Sequence, residues 1–168
     1  LTFSNGYGVT FDDTAVNFMV DVGAGVAPGS MLVDASTNNY TFIGANAITG
    51  GIVSPGQAVP GLMGFRSGLN FGAGATLTLS GTGPIPGSQY DQLSVTGAVA
   101  LANATLQVSS LPSVAAGTTF VLILNDGADA VNGTFSGLPE NALVPVGAQA
   151  FRIHYAGGSG NDVTLVRD

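Results

Sequence analysis

Ala75-Thr76-Leu77-Thr78-Leu79-Ser80 returns about 29 residues further on as Ala104-Thr105-Leu106-Gln107-Val108-Ser109. Each copy alternates apolar with small or polar residues, the period of a strand that buries one face. Recurrence at a fixed offset between roughly 20 and 50 residues marks stacked units, in which a strand of one layer pairs with its counterpart in the next. The predicted architecture is all-β, and the echo suits a β-solenoid with Val, Leu, Ile and Phe stacked inside and small polar residues outside, a choice that rests chiefly on the resemblance given below. A β-sandwich is the alternative, because short strands with Gly/Pro turns are common to both.

Flanking this echo, runs rich in β-branched and aromatic residues alternate with Gly, Pro, Asn and Asp turns. The predicted strands are Val9–Asp12, Val16–Val22, Met31–Asp34, Tyr40–Ile43, Ala75–Leu79, Leu93–Val95, Ala104–Val108, Thr119–Leu124, Val131–Phe135, Ala150–Tyr155 and Asp162–Val166. Pro28-Gly29, Pro55-Gly56, Pro60-Gly61 and Pro86-Gly87 read as turns, since proline presets one torsion and glycine accepts a positive φ. From Phe151 to Val166 the chain reads as an antiparallel hairpin, closing a single domain 1–168 at about 150–167. Phe151, Ile153 and Tyr155 share one face of it, Arg152 and His154 the other. A hairpin so placed covers the open edge at the end of a stack, which is otherwise a template for aggregation.

Only 8% of the residues are charged, against about 25% in an average domain, yet 45% are hydrophobic, which is too apolar for a disordered chain. Ten acidic residues oppose three arginines, Arg66, Arg152 and Arg167, for a net charge of −7. Without a basic stripe, nucleic-acid binding and attraction to anionic membranes are excluded as expectations. The longest apolar burst, Phe120–Leu124, is the length of a strand, so no membrane-inserted helix is predicted. The absence of cysteine removes disulfides, thiolate metal sites and cysteine nucleophiles together. Low charge with a Gly/Asn/Thr-rich polar fraction points to a secreted protein of a bacterial cell surface. Leu1 opening directly into Thr2-Phe3-Ser4-Asn5-Gly6, with neither Met nor a basic leader, reads as a processed mature chain or an excised fragment.

Val9-Thr10-Phe11-Asp12-Asp13-Thr14-Ala15, Pro28-Gly29-Ser30, Asn38-Asn39-Tyr40-Thr41-Phe42-Ile43-Gly44 and Ile48-Thr49-Gly50-Gly51 together resemble bacterial autotransporter-associated β-strand repeats. Downstream, Tyr90-Asp91-Gln92-Leu93-Ser94-Val95-Thr96-Gly97, Asn125-Asp126-Gly127, Gly133-Thr134-Phe135-Ser136-Gly137-Leu138-Pro139-Glu140 and Tyr155 to Leu165 resemble the closing portion of such passengers. The resemblance covers nearly the whole chain and rests on structural glycines and β residues. It implies a right-handed parallel β-helix with structural, adhesive or matrix roles and no catalytic residue. Passengers of this kind are large and carry many repeats with a translocator or sorting tail. A short unit departs from that pattern, and is expected to be a fragment or to gain length by association.

The chemistry-bearing residues are few. His154 is the sole histidine, no Gly-x-Ser-x-Gly elbow accompanies it, and its place in an alternating strand makes it a surface or cross-strand residue. One His and no Cys leave transition metals without partners, and no cofactor is expected. Calcium is the one ion to weigh, with Asp126, Asp129 and Asp162 as candidate ligands. Gly157-Gly158-Ser159-Gly160-Asn161-Asp162 matches a single calcium-binding nonapeptide opening, and Asn125-Asp126-Gly127-Ala128-Asp129 with Asn132 groups oxygen-bearing side chains. Both stretches read more simply as tight turns. Adjacent Asp12 and Asp13 point to opposite faces of a strand and do not form a glycosidase carboxylate pair, while Arg66 and Arg152 are the residues able to handle uronate carboxylates. Tyr7, Tyr40, Tyr90 and Tyr155 are read as half-buried strand positions with hydroxyls reaching water.

The functional expectation is a non-enzymatic extracellular structural protein, a self-associating fibre, filament, sheath or matrix subunit. Its expected partner is itself, head to tail, through Leu1 to Phe11 and the final hairpin. An adhesin or glycan-binding passenger module, with surface glycans as partner, is the alternative. A polysaccharide-degrading β-helix enzyme is the third reading.

Overall fold

The computed structural model describes residues 5–23, 28–35, 39–44 and 47–168. Among them the chain forms β1 (Gly8–Asp12), β2 (Met19–Asp21), β3 (Ser30–Asp34), β4 (Tyr40–Ile43), β5 (Ala47–Ser54), β6 (Leu62–Phe65), β7 (Leu69–Ser80) and β8 (Gln92–Val95). There follow β9 (Val99–Ala100), β10 (Thr105–Ser110), β11 (Thr119–Asn125), β12 (Val131–Asn132), β13 (Leu143–Val146), β14 (Gln149–Gly157) and β15 (Asp162–Arg167). The protein is all-β, with parallel and mixed pairing.

The strands divide between two sheets. The 7-stranded sheet runs β1-β3-β5-β7-β9-β12 with β10 also on β7, and the 8-stranded sheet runs β13-β14-β15-β11-β8-β6-β4-β2. From β1 to β9 successive strands therefore alternate between sheets, and each of β1 to β7 pairs in parallel with the strand two places on, while β8 pairs with β11 and β9 with β12. The early ladders recur every ~22 residues and the later ones every ~30. The repeated hexapeptide is one of these ladders: Thr76 pairs with Thr105, Leu77 with Leu106 and Thr78 with Gln107.

Constant register turns alternating sequence into columns of like side chains. One column is Val9, Met31, Val53, Leu77 and Leu106. In the other sheet Val20, Phe42, Phe65 and Val95 follow one another and Asn125 ends the row. Phe42 and Phe65 stack at 5.3 Å with 25° between their planes, both shielded from water. Burying a side chain of that size contributes roughly 1.5–3 kcal/mol, so the columns carry most of the stability.

The chain's last third departs from parallel order. β15 lies antiparallel between β11 and β14, and β13 pairs antiparallel with β14 as the outermost strand. The expected hairpin is present, with Phe151, Ile153 and Tyr155 buried and Arg152 and His154 outward.

Several elements differ from their predicted bounds. Val16–Val22 shortens to β2, and Val16 stands 99% exposed ahead of it. Val131–Phe135 shortens to two residues, while Phe135 leaves the strand to be buried against Tyr155. β5, β6, β9, β13 and the first half of β7 have no predicted counterpart. Gly50-Gly51 looks like a turn, yet it is a bend inside β5, with a register shift against β7 between Ile48 and Gly50. Gly51 has φ +77°, and a Cβ there would lie 2.2 Å from Pro28 O, so no other residue fits without displacing backbone. β13 contains Pro145, which an outer strand tolerates because one of its sides makes no ladder bonds.

Candidate functional site

The two stretches weighed for calcium are far apart in sequence and adjacent in the fold. Asp162, buried at the start of β15, accepts from Asn125 N (2.8 Å) through Oδ1 and from Ser159 N (3.0 Å) through Oδ2. The Asn161 amide donates toward the carbonyls of Asp126 (2.9 Å), Gly127 (3.3 Å) and Asp129 (3.2 Å). Ser159 Oγ donates to Asn161 Oδ1 at 2.8 Å, fixing which way that amide faces. Asp126 spends Oδ1 on Gly97 N at 2.7 Å, one layer away. The carbonyls that would hold a cation thus converge on an NH2 group, and Asp126 and Asp162 serve as backbone acceptors. Among the described residues no group of three acidic or His side chains could hold a metal ion. Asn161, the centre of this arrangement, has no chemical signature in the sequence beyond lying between a glycine and Asp162.

His154 faces outward on β14 and meets Glu140, Nδ1 to Oε1 at 2.6 Å. Glu140 Oε2 accepts from Tyr155 N at 2.9 Å. Slight burial pushes the Glu140 carboxyl up, but the Tyr155 N–H and the His154 ring outweigh it and hold the carboxyl below its ordinary value. This pair ties the 138–142 turn to the hairpin.

The tyrosines differ from their predicted setting. Only Tyr7 is exposed. Tyr40 donates to Asp12 O and Tyr155 to Leu138 O, each at 2.6 Å, while Tyr90 accepts from Val121 N at 3.4 Å. Their hydroxyls meet backbone groups of the protein, because each ring fills the core and its polar tip needs a partner there. Stacking platforms for sugars are therefore absent at these three positions.

Asp91 is a buried carboxylate that the sequence does not single out. It accepts from Gly61 N (2.8 Å), Ser80 N (2.7 Å) and Ser80 Oγ (2.9 Å), pinning the loops on either side of β6 and β7. Burial pushes its carboxyl above the ordinary value in spite of these three donors.

The ends of the stack are unlike. At the N-terminal end β1 and β2 are the outer strands of the two sheets, and each lacks a partner on one side among the described residues. Between them lies a concavity of about 650 Å³, lined by Val9, Phe11, Ala15, Met19 and Val20, with Asp12 and Asp21 on the lining as well. Of the stretch Leu1 to Phe11, residues 1–4 lie outside the described residues, as does Asn38 of the repeat-like motif. At the other end the antiparallel hairpin covers the core, and Pro145 in β13 withholds a donor from the outer edge.

No family model matches the chain, and no curated protein or solved structure is significantly similar to it.

Proposed function

We propose that the chain is a β-solenoid unit acting as a non-enzymatic structural module of an extracellular bacterial surface, and that it associates with itself through the open N-terminal end. The solenoid reading is supported by strands passed alternately to two sheets and by parallel ladders whose offset is about 22 residues in the early part of the chain and about 30 in the later part. A sandwich built from Greek keys pairs its strands mainly antiparallel. The likeness to autotransporter-associated repeats points the same way.

One observation carries the association: at the N-terminal end β1 and β2 are outer strands, each without a strand partner on one side among the described residues, with a half-exposed apolar concavity between them. Unpaired edges of this kind add strands readily. Two copies joined by a two-fold axis would pair β1 with β1 antiparallel, so that centring on Thr10 sets Asp12 against Gly8 of the other copy and not against another carboxylate. Carboxylates from both copies still gather there, so salt favours the joint. A head-to-tail filament would instead have to use the covered end.

Sedimentation velocity tests this. A dimer that strengthens with salt, and that Thr10→Pro abolishes while the β spectrum survives, is the expected result. A strict monomer at high concentration and high salt refutes association, and filaments under the microscope refute the two-fold arrangement in favour of head-to-tail growth.

A further inference from the structure

Register sets Thr41, Gly64 and Ser94 side by side on the neighbouring parallel strands β4, β6 and β8. All three face outward, since Phe42, Phe65 and Val95 on the same strands are buried. Adjacent strands are about 4.8 Å apart, so two hydroxyl side chains stand roughly 9–10 Å from each other with no side chain between them. A Cβ at Gly64 would lie 3.2 Å from Thr41 Oγ1 and close this gap. The result is a shallow groove of about 220 Å³, to which Asn39, Arg66 and Thr96 also contribute.

Arg66 is the only one of the three arginines whose side chain has no partner among the described residues. Arg152 pairs with Asp168 at 3.0 Å and bonds to Asn141 O, and Arg167 donates to Ala150 O at 3.1 Å. An exposed, unpaired guanidinium beside a row of hydroxyls, in a protein of net charge −7, is a local exception to the field around it. A planar guanidinium matches a carboxylate with two parallel hydrogen bonds. Threonine, serine and asparagine side chains suit the alternating donors and acceptors of sugar hydroxyls, and a gap of this width admits one pyranose ring.

We propose that this groove is a binding subsite for an acidic saccharide, with Arg66 taking the carboxylate and Thr41, Ser94, Thr96 and Asn39 taking ring hydroxyls around the Gly64 notch. The overall negative charge repels densely charged polyanions at a distance, so the fitting ligand carries isolated carboxylates among neutral hydroxyls. The groove lies on the outer face of a sheet, and its chemistry does not depend on association through the strand edges. With one charged contact in an open site, the affinity expected is about millimolar.

Backbone amide NMR titration with digalacturonate, galactobiose and acetate provides the test. Digalacturonate should shift Gly64, Arg66 and Ser94 together, with galactobiose and acetate each at least tenfold weaker. Arg66→Gln, an exposed change that leaves the core untouched, should weaken digalacturonate tenfold or more, with Arg66→Lys in between, and Gly64→Val should abolish the shifts. The inference is overturned if Arg66→Gln binds as the parent does, if acetate matches digalacturonate, or if the shifts fall elsewhere on the protein.

Discussion

Replacing Asn161 by Asp tests whether an amide occupies the place of a cation where the 125–129 and 158–162 loops meet. The amide's two hydrogens serve the carbonyls of Asp126, Gly127 and Asp129, at 2.9, 3.3 and 3.2 Å. Asn161→Asp removes about two net hydrogen bonds, worth roughly 1 kcal/mol each, and turns a charged oxygen toward carbonyl dipoles in a site only 4% exposed. Desolvation of that charge adds another 1–2 kcal/mol or so, for a total loss of about 3–4 kcal/mol. The new carboxylate with the same carbonyls forms an oxygen cage of the kind calcium prefers. Calcium at 100 times its dissociation constant would then restore about 2.7 kcal/mol. Urea unfolding of parent and variant, with and without millimolar calcium, reads both effects. The parent should not respond to calcium. A variant loss below about 1 kcal/mol, or equal calcium responses from the two proteins, would refute the reasoning.

Two further outcomes are expected. Because burial raises the Asp91 carboxyl in the folded protein, the folded state holds its proton to higher pH than the unfolded chain does. Its contribution is greatest below the ordinary carboxylate range and is lost as pH rises through the raised folded value. Stability of the parent relative to Asp91→Asn should fall across that window, and a flat difference would contradict the assignment; Asp91→Ala should cost about 2–4 kcal/mol below the window by stranding Gly61 N and Ser80 N, and less as pH rises through it. Phe65→Ala, which empties the middle of the Phe42, Phe65 and Val95 column, should cost about 3–5 kcal/mol by chemical denaturation, and a loss under 1 kcal/mol would mean that the column does not hold the layers together.

What the sequence discloses and what it hides follow from one physical distinction. The hexapeptide echo predicts a ladder because its alternation is local and its partner has the same alternation, and the structure pairs Thr76 to Leu79 with Thr105 to Val108 in register before a bulge sets Ser80 against Ser110. The hairpin is legible for the same reason. β5, β6 and β13 are illegible because Gly50, Gly51, Gly64 and Pro145 look like turns when read alone. They remain in strands because neighbouring layers supply the hydrogen bonds and packing that those residues do not favour by themselves. Of the bonds made by the candidate calcium ligands, the turn reading accounts only for the one from Ser159 N to Asp162, whereas those of Asp162 to Asn125 N, of Asp126 to Gly97 N and of Asn161 to the opposite carbonyls reach partners 29 to 37 positions away. Arg66 was legible as a residue able to take a uronate carboxylate, but the groove around it was not, since Thr41, Gly64 and Ser94 become neighbours only through register.

The even spacing of the ladders bears on how the protein copes with damage. Every parallel pair is closed by a loop of about 22 to 32 residues, and closure entropy changes little over that range, so the parallel ladders do not demand that remote parts of the chain find each other. In the solenoid proposed above, layers are held chiefly by their immediate neighbours. An injury to the first laps should therefore melt those laps alone and leave the hairpin end standing, so that the chain yields by fraying from one side and not by collapsing as a whole.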